Sequence, residues 1–216
     1  MTRQLRAEQT RTTIIEAAAE MFDRYGYGST SLSDIVTQGK VTKGALYFHF
    51  ASKEGLAHAV MTLQHELSMQ EAQEVSNKNL PGLESLIRMS YGIADQVLRN
   101  PVTRAGVRLT LESGSLQQPM RDPYRDWVNV TTEHLERSVD ELDVRPGVNV
   151  SCAAQFIVSA FTGLQLVTPV LESLDKLPLR IADMWTTILP GLVPPRKAAY
   201  YLNMSATIAD GMMREL

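Results

Sequence analysis

Between Pro146 and Leu171 the chain contains no Asp, Glu, Lys or Arg. A helix of that length could cross about 30 Å of hydrocarbon. However, it also carries Asn149, Gln155, Ser159, Thr162, Gln165, Thr168 and Pro169, which make poor lipid contacts. The segment therefore reads as a helix covered by protein on most of its sides, with no membrane as partner. A chain that contains it must supply a large covering surface. With 216 residues, 44% apolar and 21% charged, this one can build a real core and is not disordered.

The remainder of the sequence is helical in period. Ile14, Ile15, Ala18, Met21, Phe22 and Tyr25 fall on one face of a 3.6-residue repeat, and Gly26 is placed to end that helix in the left-handed region. Ser31 with Asp34 predicts a capped short helix, Thr42 caps a second over residues 43–48, and Ser52 caps a longer one. Further helices are expected from Pro81 to about Arg99, from Pro101, from Asp122-Pro123, through the uncharged segment, from about Leu179 to Leu189, and after Pro194-Pro195. Gly114 to Pro119 reads as a loop. No stretch alternates as a strand does. The expected fold is all-α: three short helices, then a helical bundle. The division falls at residues 1–52 and 53–216, joined by a shared helix.

Charge does not announce a partner. The formal net charge is −3. Residues 1–60 hold Arg3, Arg6, Arg11, Arg24, Lys40, Lys43 and Lys53 against Glu8, Glu16, Glu20, Asp23, Asp34 and Glu54, a net of +1. The single cysteine, Cys152, excludes an internal disulfide and a Cys-based zinc site, and its small apolar neighbours suggest a buried thiol. His58 and His65 stand seven apart on one helix, about 10.5 Å along its axis, too far to share a metal. No nucleophile elbow or phosphate-binding glycine loop is present. Neither a cofactor nor catalysis is expected. The N-terminus lacks the apolar run of a secretion signal, which points to the cytoplasm.

Residues 31–50, SLSDIVTQGKVTKGALYFHF, form two short helical segments around a tight turn. Lys43, Gly44, Tyr47 and His49 bring cationic, backbone-exposing and aromatic groups to one surface, as a DNA-reading helix requires, and Thr42 adds a hydroxyl at its start. From helix geometry alone an ordinary hairpin with a solvated face is equally open.

The stretch VTKGALYFHFASKEGL resembles the signature of the TetR family of bacterial transcription regulators, and residues 3–67 match the same domain. RQLRAEQTR, PVTRAGVRL, Trp127 and ADMWTTILPGLVP are similar to the γ-butyrolactone receptor branch. The resemblance implies a repressor that binds a pseudo-palindromic double-stranded operator as a homodimer and is released by a small lactone-type signal. The alternative is a repressor that senses an unrelated hydrophobic compound or antibiotic. It implies DNA contacts by Thr42, Lys43, Gly44, Tyr47 and His49 in the reading helix, by Lys53, Thr30 and Ser33 on phosphate, and by Arg3, Gln4 and Arg6 in an N-terminal arm. Phe48 and Phe50 are expected to pack. Trp127 is expected to cover the ligand, with Gln64, Thr162 and Gln165 as polar partners and Leu86, Met89, Val130, Phe161 and Leu166 as walls. The uncharged helix and the helix carrying Met184, Trp185, Ile188 and Leu189 are expected at the dimer interface. The family usually has Ala-Gly where this chain has Gly39-Lys40, so either the turn is rebuilt around Gly39, or Lys40 takes a left-handed conformation and offsets its cost by meeting phosphate.

Overall fold

A computed structural model describes residues 3–111 and 121–216, and the loop expected at Gly114–Pro119 lies outside them. The described residues are helical with no strand. In chain order they are α1 (Arg3–Ser29), α2 (Leu32–Gln38), α3 (Lys43–His49), α4 (Lys53–Ser76), α5 (Gly82–Arg99), α6 (Pro101–Leu111), α7 (Asp122–Asp140), α8 (Val150–Leu171), a 3-10 turn (Leu174–Lys176), α9 (Leu177–Leu192) and α10 (Pro195–Arg214).

These helices fall into two compact units. One holds the chain up to Ser68 and resumes at Arg99 with α6; the other takes Met69–Leu98 and α7 to α10. The helix α4 thus contributes to both.

In the first unit Ile14, Ala18, Phe22, Ile35, Leu46, Leu56 and Val60 are fully buried. Gly26 has φ 80 and ψ 165, so it kinks α1 by a conformation open to glycine, and the helix resumes through Ser29. Ser52 caps α4, its hydroxyl accepting from the Gly55 N–H at 3.0 Å.

In the second unit α9 packs on α10 and on α8, and α7 packs on α8. Trp185 is fully buried, and its indole N–H donates to Ser90 Oγ at 3.0 Å. Tyr91 and Ser205 pair through their hydroxyls at 2.8 Å. Gly82 sits so close to α7 that a Cβ there would fall 2.3 Å from the His134 carbonyl oxygen.

Two expectations fail here. Met184, Trp185, Ile188 and Leu189 are buried within the chain itself, so α9 spends its apolar face on the core and not on a partner. On the uncharged helix α8, only Ala154, Ile157 and Thr168 are buried. Val170 is 79% exposed, Leu171 74% and Phe156 59%. The covering surface that its composition demands is therefore not supplied by the described residues of the same chain. Cys152, on α8's first turn, is exposed and not a buried thiol.

Candidate DNA-reading surface and ligand-binding helices

The reading surface is built from its caps upward. Ser31 Oγ accepts from the Asp34 N–H at 3.2 Å, and Asp34 Oδ2 accepts from the Ser31 N–H at 2.9 Å, a reciprocal capping box that starts α2. The Ser31 side-chain and backbone hydrogen bonds hold the Asp34 carboxyl below its usual range. The turn that follows uses both unusual residues. Gly39 has an ordinary right-handed φ of −77, while Lys40 itself takes the left-handed region, φ 50. Gly39 sits in a tight place: a Cβ there would stand 3.1 Å from Ala17 Cβ and 3.3 Å from the Ile35 carbonyl oxygen. The turn is not rebuilt around Gly39, and Lys40 bears a strain of about 1–2 kcal/mol.

Thr42 starts α3. Its Oγ1 accepts from the Ala45 N–H at 3.1 Å, leaving the hydroxyl proton to donate outward. On α3, Leu46 is buried and anchors the helix. Lys43, Gly44 and Tyr47 are exposed, and His49 is half-buried. Gly44 meets only Thr42 Oγ1, 3.9 Å from where its Cβ would be. Nothing inside the protein therefore requires a glycine at 44, although glycine within a helix costs roughly 0.5–1 kcal/mol. Phe50 packs as expected, with Arg11 5.4 Å over its ring. Phe48 does not: it is 77% exposed, with only an edge contact to His49.

The other expected DNA contacts are less uniform. Arg6 and Ser33 are exposed. The segment with Arg3, Gln4 and Arg6 is the first turn of α1, helical and not an extended arm. Thr30 is 2% exposed, and its hydroxyl donates to the Gly26 carbonyl at 2.8 Å. The Lys53 ammonium donates to the carbonyls of Tyr27 and Thr30 at 2.8 and 2.9 Å and lies 4.3 Å from the Tyr27 ring centre. Both side chains fasten the end of α1 to the starts of α2 and α4.

The expected ligand residues divide between the units. Leu86 and Met89 on α5 are buried; Trp127 and Val130 on α7 and Phe161, Thr162, Gln165 and Leu166 on α8 are half-buried. All of these belong to the second unit. Trp127 is half-buried, unlike the fully buried core tryptophan Trp185. Gln64 belongs to the first unit, where its amide donates to Ser68 Oγ at 2.9 Å. A shallow cleft lined by Leu142, Val144, Arg145, Pro146, Pro194 and Arg196 contains none of the expected ligand residues. Among the described residues no group of His, Cys, Asp and Glu could hold a metal.

A capped, anchored helix with an unfilled glycine and outward Lys and Tyr, set in a helix-turn-helix, is an arrangement suited to a DNA-binding regulator. Residues 14–60 match the bacterial regulatory proteins of the tetR family, and residues 80–194 match the tetracyclin repressor-like C-terminal domain. The chain belongs to the TetR family. It is 38% identical over 200 residues to the A-factor receptor protein of Streptomyces griseus, spanning 93% of this chain and 70% of that one. The fold is similar to the crystal structure of an ArpA-like γ-butyrolactone receptor, at TM-score 0.81 and 39% identity over 95% of this chain and 99% of that one. It is also similar to CprB of Streptomyces coelicolor in complex with its operator sequence, at TM-score 0.79 and 40% identity over 95% and 99% of the two chains.

Proposed function

We propose that this chain is a ligand-responsive transcriptional repressor. It binds a pseudo-palindromic operator as a homodimer, is released by a γ-butyrolactone or butenolide-type signal, and controls genes of antibiotic or secondary metabolism. The observation that carries this reading is that likeness to lactone receptors runs through both units and not through the reading helices alone. Its work is binding rather than catalysis, and its place is the cytoplasm, on the nucleoid when bound.

Lys43, Gly44, Tyr47 and His49 read the major groove from α3, with Thr42, Ser33, Arg3, Gln4 and Arg6 on the backbone. Thr30 and Lys53 support that surface through the contacts they make within the protein. Residues 1–52 read and residues 53–216 sense. A second copy covers the uncharged face of α8, and two-fold symmetry then places the reading helices about 34 Å apart or at a multiple of the helical turn. Ligand held against Trp127 favours a conformer in which α4, the helix common to both units, no longer holds the reading helices at operator spacing. The shift is set by the ligand's differential affinity for the two conformers, typically about 1–3 kcal/mol.

The test is to select bound fragments from genomic DNA with the purified protein and then titrate the complex with a synthetic alkyl-substituted γ-butyrolactone. Lys43→Ala and Tyr47→Ala should each weaken specific retardation at least tenfold. Retardation intact in both removes α3 as the reader. A complex that ignores lactones and butenolides but yields to other apolar compounds favours a repressor of the same family with a different signal.

A further inference from the structure

The turn between α2 and α3 carries a lysine where the backbone favours glycine. Gly39 is the C-cap of α2. Beyond it the Lys40 N–H donates to the Thr37 carbonyl at 3.3 Å, and the Val41 N–H donates to the Val36 carbonyl at 3.2 Å. That pair of bonds completes a Schellman motif, whose left-handed position falls on Lys40 at φ 50. Glycine takes this conformation without steric penalty and lysine does not. For the fold alone, glycine would be the better residue at 40.

The lysine side chain gains nothing inside the protein in return. Lys40 is exposed and makes no ion pair or side-chain hydrogen bond among the described residues. Glu20 of α1, which reaches this end of α2, is bonded by the Gln38 amide. Other cations near the reading helices are committed within the protein. The Lys53 ammonium is held by the Tyr27 and Thr30 carbonyls, Arg11 lies over Phe50, and Arg24 lies over Tyr25. Lys53, expected on phosphate, is thus withdrawn from it. Lys40 precedes Thr42 and Lys43 by two and three residues on the turn that leads into the reading helix, and all three are exposed.

We propose that Lys40 is a DNA-backbone contact of this chain, a cation presented to phosphate by the left-handed turn in place of the internally held Lys53. The proposal rests on the repressor reading above. Such a contact reads no base, so it strengthens binding to selected and unrelated duplexes alike. Each protomer of a dimer supplies one such lysine, so the pair adds about two released counterions per bound dimer. A cation beyond the end of α2 can also interact favourably with that helix's last carbonyls. That alternative acts on folding stability and leaves DNA binding unchanged.

The experiment measures retardation of the selected DNA and of an unrelated duplex over a series of salt concentrations, with a urea midpoint for each protein. The proteins are the wild type, Lys40→Gly, Lys40→Gln and Lys40→Arg. Lys40→Gly should raise the urea midpoint, yet weaken both duplexes by roughly tenfold at about 0.1 M salt and flatten the slope of log affinity against log salt by about two. Lys40→Gln keeps the strained backbone and loses the charge, so it should weaken DNA equally without the gain in stability. Lys40→Arg should keep the wild-type affinity and slope. Wild-type affinity and slope in Lys40→Gly or Lys40→Gln overturn the contact. So does a loss confined to the selected DNA, or a lowered urea midpoint in Lys40→Gly with the salt slope unchanged. A wild type that selects no DNA overturns the repressor reading and the contact with it, whereas selection that is indifferent to residue 40 overturns the contact alone.

Discussion

Gly44 separates folding from function at a single position. Its Cβ site is empty, so Gly44→Ala should stabilise the fold by roughly 0.5–1 kcal/mol, read as a higher urea midpoint. The added methyl would stand where DNA backbone approaches, so specific DNA binding should fall at least tenfold. Unchanged DNA affinity would place this face away from the groove. His134 carries a second prediction. It is 7% exposed and touches Ser76 Oγ at 3.3 Å, and its Nδ1 lacks a hydrogen-bond partner among the described residues. Burial, with a smaller push from Arg137 and against Glu133 and Glu141, holds its pKa below the ordinary 6.5. The unfolded chain then takes up the proton first as pH falls. The contribution of His134 to stability is whole above about pH 6.5 and is lost as pH drops through the lower folded value. Urea midpoints measured from pH 7.5 downward should show a steeper fall in the wild type than in His134→Gln. Residue roles were legible in the sequence where they are local. Ser31, Thr42 and Ser52 cap as their spacing says, because a cap depends on three neighbouring positions. Thr30, Lys53 and Phe48 were not, because burial at those positions is decided by where α1 ends and which side of α3 meets Leu46's neighbours.

At the scale of elements, helix boundaries followed periodicity, proline and glycine closely. The exception in kind is α8. Its composition demanded cover by protein, and the family resemblance placed it at a dimer interface. The described residues leave Phe156, Val167, Val170 and Leu171 in the open. Among them α8 is the one helix long and apolar enough to cross a membrane. On the proposed reading the cover is a second chain. Small side chains at Ser159 and Gly163, with nothing within 4 Å of a Cβ at 163, allow a partner helix to approach closely. Phe156→Glu would place an unpaired carboxylate in that contact. It should weaken self-association at least tenfold in sedimentation velocity while the helical circular dichroism is retained. A variant that stays dimeric at the same concentration would move the interface off α8. By the same reasoning α9 could not be assigned from pattern: an apolar stripe looks alike whether a core or a partner fills it.

The whole molecule combines a reader that is barely basic with a sensor that is acidic. With a net of +1 over residues 1–60, placement rather than total charge must do the reading. The sensor's test is calorimetric. Trp127→Ala should cut affinity for an alkyl-substituted γ-butyrolactone at least tenfold, through lost apolar contact, and leave DNA affinity unchanged. Lactone binding undiminished in that variant would move the pocket elsewhere. The all-α class and the helix-turn-helix were legible in the sequence because both are written in short-range spacing. The allegiance of α6 to the first unit was not, because it depends on Asp23 meeting Arg104 and Arg108 from more than eighty residues away.

That interleaving limits how the molecule can be divided. The chain leaves the first unit within α4, returns at the α5–α6 junction and leaves again after α6. No single cut yields either unit whole. A fragment ending at Ser68 would hold every DNA-reading helix yet lack Val102, Ala105 and Leu109, exposing the flank of α1 that they shield. Exchange of readers among relatives by joining at one seam would therefore carry away half of a packed contact, and a working chimera must graft α6 along with the helices that touch DNA.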